Sequence, residues 1–576
     1  MRYKLIDGSA NNINDIVGTV LRNRGVEKPQ EYLNLTDSCI NHPCDLDNMN
    51  EAIECFEKHL EARDKIAIVV DCDPDGYTSA ALVYKYIKEF GGTNYPVQYL
   101  IHQSNKAHGL GKIDEGDIVI PEDAKLLIVP DAGTNDSVQC NKLIDDGIDI
   151  IILDHHEAEE IAYENKAIIV NNQMSHNYSN KDFSGAGVVM EFLRKLDDCN
   201  WTTVAEDNLD LVALAQISDI MDLRSYPTRY YVNKGLSNIN SRVIQTFVDA
   251  QSYSMNNKVN PTTVAWYIVP ILNSLIRIGS YEERELLFRA FIDDYEEFDY
   301  KKRGGEIVKE NIYNRVVRLC KNSKSRQDKM RDKLYDALKN KVNHDDKVVV
   351  VETDDEDASG IIGLVAMRLS DNLQRPVVLL RDMEDGTLAG SLRNYDNSPI
   401  EDLKELLNSS GLFTCQGHSN AAGASIKKED VQKAKDMLNE QLKDLVYDKT
   451  YLCDFEMDFA DMDIRFIMDI AQYDYLWCTG IKEPKVAVTN ISVQRKDIKV
   501  QGKDMNSIAF EVEGVKYVAF KLNEDNPLLA FANGWGDPED ELVFDAVVTC
   551  GINTYNGISQ CQCMIEDVEV KTIQND

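Results

Sequence analysis

The chain has no apolar run of membrane-spanning length, which excludes a helical membrane span. Its first residues, Met1-Arg2-Tyr3-Lys4-Leu5-Ile6, carry no apolar signal core and predict a cytoplasmic protein. It lacks a cysteine framework as well. The 13 cysteines are odd in number and scattered. Cys561 and Cys563 alternate in a strand-like run, but no second pair stands at zinc-ribbon spacing. Free thiols in a reducing compartment, packed as small hydrophobes, are the expectation. Positive charge is also scarce. A formal charge of −36 excludes long-range attraction of phosphate by the molecule as a whole. There is no internal repeat and no low-complexity tract.

What the chain does have is length. Its 576 residues exceed a single hydrophobic core and predict three or four domains. One stretch runs against the global charge. Residues 301–341 hold 14 Lys or Arg and 5 Asp or Glu, a net of +9, so the remainder carries −45. Such a stripe can grip nucleic acid locally or be a solvated helix face, and composition leaves both open.

From about residue 66 the chain alternates strand and helix signals. Ile66–Val70 ends in Asp71, and a helical stretch follows from Ser79. Leu126–Val129 leads through Pro130 to Asp131. Ile148–Leu153 ends at Asp154, and Ala167–Val170 ends at Asn171. Continuous apolar runs separated by helices predict a parallel sheet buried on both faces. Polar residues then fall at the carboxyl ends of the strands, where open α/β sheets bind ligands. A single carboxylate there is ordinary turn chemistry; three strands in succession are not.

Residues 205–345 read as mostly helical. Lys347–Glu352 and Arg375–Leu380 open a second α/β segment. After about 445, strand-like runs at 487–493, 507–512, 516–520 and 542–548 predict a small β-barrel.

Asp71-Cys72-Asp73-Pro74-Asp75-Gly76 crowds three carboxylates into five residues, at a cost in repulsion unless cations neutralise them. An EF-hand loop begins similarly but needs a Glu at position 12 and a preceding helix. Position 12 here is Leu82, and a β-branched strand precedes the loop. Asp131-Ala132-Gly133, Asp154-His155-His156 and Ser218-Asp219-Ile220-Met221-Asp222 add further carboxylates and two imidazoles. An oxygen-rich set of this kind suits Mn²⁺ or Mg²⁺. Five or six such ligands can hold two ions of a phosphoesterase centre.

These residues resemble the motifs of the DHH phosphoesterase superfamily. Asp71-x-Asp73-x-Asp75-Gly76 looks like motif I, Asp131-x-Gly133 like motif II, Asp154-His155-His156 like motif III and Asp219 like motif IV. The resemblance implies that Asp73, Asp75, Asp131, His155 and Asp219 hold two divalent cations, Mn²⁺ or Mg²⁺, with Asp131 between them. It implies that Asp71 is a ligand or its support, that His156 contacts phosphate, and that Asp154 orients the histidines. Gln416-Gly417-His418-Ser419-Asn420-Ala421-Ala422-Gly423 and Gly390-Ser391-Leu392-Arg393 resemble the substrate-binding signatures of the DHH-associated domain, which Ser359–Leu369 looks to open. They imply that Ser391, Arg393 and His418 bind substrate, Arg393 and His418 by gripping phosphate.

The resemblance narrows to RecJ-like exonucleases and covers nearly the whole chain. Asp182–Val188, Pro270-Ile271-Leu272-Asn273 with Arg277, Ser325-Arg326-Gln327 and Asn553–Gln560 are similar to segments of that family. Asn273, Arg277 and Arg326 are the further substrate-binding residues it implies. The chain departs from the pattern at Cys72 and Pro74, at Gln416, and at Ile271 and Ile276, where the family carries Arg and Gly.

The expectation is therefore an α/β protein of four parts. A parallel-sheet DHH domain with a helical lead-in spans 1–240, and a basic helical bridge spans 241–345. A second α/β, DHH-associated domain spans 346–445, and an OB-like β-barrel spans 446–576. The resemblance implies a metal-dependent exonuclease digesting single-stranded DNA 5′ to 3′ to mononucleotides, in repair, recombination or replication. Its implied partners are single-stranded DNA and a helicase or single-strand-binding protein, and a monomer is favoured. Two other readings stand beside it: a DHH phosphodiesterase for short oligonucleotides or cyclic dinucleotides, and a non-catalytic replication or repair scaffold.

Overall fold

The structure, a computed structural model, describes residues 1–6, 15–105, 107–355, 360–396, 398–447, 450–534, 536–555 and 557–574. Ser359 and Asn556, in segments quoted above, lie outside them. The chain divides into two compact units. The smaller comprises residues 1–4 and 322–453, and the larger comprises 5–321 and 454–576.

In the larger unit, β1 (Lys65–Val70), β2 (Val97–Ile101), β3 (Ala124–Pro130), β4 (Asp149–Asp154) and β5 (Ile168–Asn171) form one parallel sheet in the order β2-β1-β3-β4-β5. Alternate side chains enter two separate cores. Ile66, Ile68, Val70, Leu126, Ile128, Ile151 and Leu153 face one. Ala67, Val69, Leu127, Val129, Ile150, Ile152 and Ile169 face the other. This is the double burial that the unbroken apolar runs predict. The edge strand β2 is not marked in the sequence, because Gln98 interrupts its apolar run and three of its five residues are at least partly exposed.

Three helices frame the strand ends: α1 (Pro74–Gly91), α2 (Gly185–Asn200) and α3 (Leu209–Ser218). Helix α1 starts at Pro74 and not at Ser79. Proline suits the first helical position, and Asp73 caps the helix by accepting from the Gly76 backbone N–H at 2.9 Å. Asp75 and Gly76 thus belong to a helical first turn.

The long helix α4 (Ile312–Leu338) carries most of the basic stretch. Much of its charge is paired: Arg318 with Glu310, Lys324 and Arg331 with Asp328, and Lys339 with Asp336. In the smaller unit, β6 (Val349–Thr353), β7 (Val377–Asp382), β8 (Thr387–Arg393), β9 (Phe413–His418) and β10 (Ala421–Lys427) form a mixed sheet, order β9-β10-β8-β7-β6. Helix α5 (Ile362–Leu373) lies on one face of it, with Val365, Ala366 and Leu369 in the core.

The C-terminal strands are β11 (Phe455–Asp458), β12 (Lys485–Gln494), β13 (Lys499–Gln501), β14 (Ser507–Val512), β15 (Val515–Ala519), β16 (Glu541–Tyr555) and β17 (Ile558–Gln574). They form an OB-like sheet in the order β11-β12-β16-β17-β15-β14-β13. The expected barrel does not close. Closure needs ladder bonds between the edge strands, and β11 and β13 make none to each other. Bulges at Val543/Phe544 and Val547/Val548 bend the sheet instead. The helix Ile464–Ala471 fills its core with Phe466, Ile467 and Ile470. The same core takes Ile16, Val17, Val20, Leu21 and Tyr32 from the start of the chain.

All thirteen cysteines are free thiols. No helix among the described residues is long and apolar enough to cross a membrane.

One buried cation holds the chain segment after β2. Arg284 is 1% exposed and donates to the carbonyls of His102 and Gln103 at 2.8 Å, and to that of Ser104 at 3.4 Å. Replacing Arg284 with Met strips the buried His102 carbonyl and the part-buried Gln103 carbonyl of this donor, and leaves Ser104 O with its contact from Cys72 Sγ. It is expected to lower the unfolding free energy by about 3 kcal/mol, read from the midpoint of a urea transition. An unshifted midpoint would show that water reaches those carbonyls.

Candidate metal centre

Every motif carboxylate of the larger unit comes to the carboxyl edge of the β1-β3-β4 strands. Asp71 follows β1 and is buried; it accepts from the Gly109 N–H at 2.9 Å and pairs with His108 Nδ1 at 2.9 Å. Asp75, on the first turn of α1, accepts from the N–H groups of Gly185 at 2.7 Å and Ala186 at 2.9 Å, and from the Ser79 hydroxyl at 3.2 Å. Asp131 follows β3 in the left-handed region, at φ 65°. That conformation is uncommon for a residue with a Cβ. It is tied by the Asp131 N–H donating to Leu153 O at 2.8 Å.

Asp154 ends β4. One of its oxygens accepts from the His155 N–H at 2.7 Å, the His156 N–H at 3.2 Å and His156 Nδ1 at 2.8 Å. The other accepts from the Thr134 N–H at 3.1 Å. This carboxylate is spent on holding the two histidines. Its pKa lies well below the usual carboxylate range: burial pushes it up, but the His156 charge and hydrogen bond outweigh burial.

His155 Nε2 stands 3.3 Å from Asp131 Oδ1, 3.5 Å from Asp219 Oδ2 and 3.9 Å from Asp75 Oδ2. Three of these buried atoms, His155 Nε2, Asp131 Oδ1 and Asp219 Oδ2, have no hydrogen-bond partner. Protonating the imidazole does not resolve the cluster. Burial, with His156 nearby, lowers the His155 pKa to about 4, so this imidazole is neutral at neutral pH and offers a lone pair. Burial, then the charges of Asp75 and Asp73, hold Asp131 and Asp219 well above the ordinary carboxylate range. Buried oxygens without partners and an unprotonated nitrogen, held together, are the donor set of a hard divalent cation.

Four groups of donor atoms among the described residues lie within 4.8 Å of one another internally. Three meet here: Asp131 with Asp154, His155 and His156; and the two that matter most for a cation pair, Asp71, Asp73 and Asp131 first, and Asp75, His155 and Asp219 second. Asp131 belongs to the first and touches the second.

His156 is the exposed member, its side chain 44% accessible. Burial pulls its pKa down, yet Asp154 raises it to about 9, so it carries charge at neutral pH. A second imidazole, His108, was not marked in the sequence. It packs edge-on to His156 with centroids 4.7 Å apart, and the Asp71 charge raises its pKa to about 10. No spacing signal singles it out, because its partner Asp71 is 37 residues away.

Asn273 and Arg277 lie on the helix Val269–Ile278, both half-buried. The Arg277 charge acts on Asp73, opposing the upward push of burial and of Asp71. Ile271 and Ile276 are core residues and present nothing to a ligand. In the smaller unit, Arg393, Ala421 and His418 stand in one row across β8, β10 and β9. Ser391 and Arg393 converge on the start of α5. A Cβ at Gly363 would lie 2.6 Å from Arg393 Nη2 and 3.5 Å from Ser391 Oγ. His418 and Arg326 are exposed, and Arg326 donates to Ser323 Oγ at 2.8 Å.

Two outcomes are expected from this geometry. Asp131→Asn relieves carboxylate repulsion in the metal-free protein, so its melting temperature should rise by a few degrees while the Mn²⁺-induced rise disappears. A variant still stabilised by Mn²⁺ like the parent would refute the donor set. At Gly185 a Cβ would lie 2.4 Å from Asp131 Oδ1 and 2.7 Å from Asp131 Cα. Gly185→Ala must therefore displace Asp131, and a displacement of this size lowers metal-dependent turnover by about 100-fold. Parental rates in steady-state assays would mean that this contact does not set the site.

Comparison with known proteins agrees with the geometry. The DHH family N-terminal domain matches residues 65–216, the DHHA1 domain 345–444 and the RecJ OB domain 453–567. YorK from the SPbeta prophage of Bacillus subtilis (strain 168) carries a provisional name as a single-strand DNA-specific exonuclease. It is 34% identical over 99% of this chain and 98% of its own. The single-stranded-DNA-specific exonuclease RecJ of Bacillus subtilis (strain 168) is 23% identical over 98% of this chain and 69% of its own. The crystal structure of RecJ from Thermus thermophilus in complex with Mn²⁺ shares the fold. Its TM-score is 0.72 at 18% identity, covering all of this chain and 80% of that one. The chain belongs to the DHH family and, within it, to the RecJ-like exonucleases.

Proposed function

We propose that this protein hydrolyses the phosphodiester bonds of single-stranded DNA with two divalent cations, Mn²⁺ or Mg²⁺, moving from the 5′ end and releasing mononucleotides. The observation that carries the reading is the meeting of Asp131 Oδ1, His155 Nε2 and Asp219 Oδ2, buried and without partners. Asp73, Asp75, Asp131, His155 and Asp219 would hold the cations, with Asp131 shared by both and Asp71 as ligand or support. When bound, the pair lowers the pKa of a water and neutralises charge developing on the phosphoryl group.

The chain's own residues do the rest. Asp154 keeps His155 and His156 oriented through the bonds described above. His156, charged and at the exposed side, receives a phosphoryl oxygen. Ser391, Arg393 and His418 bind substrate phosphate, and Asn273, Arg277 and Arg326 are further substrate contacts. The four-part division of the chain, with the basic helical bridge at 241–345, stands with this reading. So do a cytoplasmic location, a monomeric state, a helicase or single-strand-binding protein as partner, and a role in repair, recombination or replication. The names of the relatives support the substrate class.

The deciding assay uses purified protein, Mn²⁺ and 5′- or 3′-labelled single strands of about twenty to sixty nucleotides, which span several OB-fold site sizes. Duplex and RNA serve as controls. Mononucleotides should leave the 5′ end of DNA, the duplex should be spared, and excess chelator or Asp131→Ala should abolish turnover. Activity confined to dinucleotides or very short oligomers would move the function to an oligonucleotide phosphodiesterase. Reversing the charges of Lys321, Lys324 and Arg326 should weaken DNA binding. Each lost phosphate contact should reduce the slope of log affinity against log salt by about 0.7. An unchanged slope would leave that stretch as a solvated helix face.

A further inference from the structure

Five of the six donors in the two groups are fixed by the sheet or by the first turn of α1. Asp219 is the exception. It follows α3, outside the strands and the first turn of α1, yet its Oδ2 must meet His155 and Asp131 to within tenths of an ångström for a cation to be held.

The upstream side of that turn is ordinary helix termination. The Asp219 N–H donates to Ala215 O at 2.9 Å, and Ile220 is left-handed at φ 58°. The Met221 N–H then returns to Gln216 O at 3.0 Å. The downstream side is held by a segment more than two hundred residues away, residues 473–481, which leads into β12. The Leu223 N–H donates to Thr479 O at 3.2 Å, and Leu223 O accepts from the Tyr32 hydroxyl at 2.6 Å.

Arg229 clamps the same segment. It is fully buried and donates to Leu476 O at 3.1 Å and Tyr475 O at 2.5 Å, with its guanidinium 5.9 Å from the Tyr32 ring centroid. A buried guanidinium on two carbonyls is a fixed fork that lysine does not reproduce. Gly480 closes the arrangement. It sits at φ 78°, and a Cβ there would lie 1.9 Å from Asp222 Oδ1 and 3.2 Å from Arg224 Cγ. Residues 475–480 therefore act as a template against which residues 219–224 are moulded.

We propose that Arg229 and Gly480 are positioning residues for the metal centre. Through residues 475–480, the segment leading into the C-terminal sheet sets the turn that carries Asp219 and thereby the affinity for the cation. The inference rests on the reading of Asp219 as a ligand. Removing partners that orient a ligand typically weakens metal affinity by about 10–100-fold.

The test titrates metal-stripped, full-length protein with Mn²⁺ and follows the free ion by its electron paramagnetic resonance signal, a readout independent of turnover. The variants are Arg229→Met, Arg229→Lys and Gly480→Ala. Phe544→Leu in the C-terminal core is the reference for simple destabilisation, and Asp219→Asn is the benchmark. Gly480→Ala and Arg229→Met should weaken Mn²⁺ binding by about 10–100-fold, and Arg229→Lys by less. Phe544→Leu should melt earlier with Mn²⁺ binding unchanged. If Arg229→Met does not fold, Gly480→Ala and Arg229→Lys decide. Parental Mn²⁺ binding in those two, with Asp219→Asn impaired, overturns the positioning role alone. Parental binding in Asp219→Asn overturns the ligand reading and this inference together.

Discussion

The structure turns on mutual repulsion among carboxylates gathered in a buried site. Asp71, Asp75, Asp131 and Asp154 are each no more than 3% exposed, and Asp73 and Asp219 stand beside them. Such a gathering is unfavourable by itself. Each member responds differently. Asp154 and Asp71 are drawn into imidazole and backbone N–H bonds, whereas Asp131 and Asp219 are left with bare oxygens. That division separates residues that build the site from residues that offer it to a cation. Beside it stand the left-handed backbone at Asp131 and the lack of room for a side chain at Gly185.

The scaffold answers this constraint with a sheet buried on both faces. Parallel strands bring their carboxyl ends to one edge, so ligands distant in sequence arrive together. The ends of β1, β3 and β4 and the N-terminus of α1 supply all the donors but one. The sixth hangs on a helix end and relies on packing from the far end of the chain. The C-terminal β-structure and the gathered carboxylates lie in one compact unit.

Charge is organised locally. The chain carries −36, yet its one basic stretch is threaded with acids that pair much of it. A polyanion meeting this surface finds individual cations, such as those at the exposed faces of α4, and no broad field.

Much of the site was legible in the sequence, because the chemistry there depends on residue type at a strand end. Asp71, Asp131 and Asp154 each follow a continuous β-branched run, and two-sided burial makes such runs conspicuous. The edge strand β2 was not legible, since an edge needs no unbroken apolar run. The closed barrel was over-read, because strand signals do not tell whether the last pair of edges meets. His108 and Arg229 were invisible for a common reason: their partners lie 37 and 246 residues away, and periodicity carries no information at that range. The sequence by itself thus determined the class of chemistry, the parallel sheet and most of the carboxylates that the fold gathers, since these follow from local pattern. Only the tertiary structure decided which carboxylates are satisfied and which are bare, and what holds Asp219 in place, because hydrogen-bond satisfaction is a property of neighbours in space.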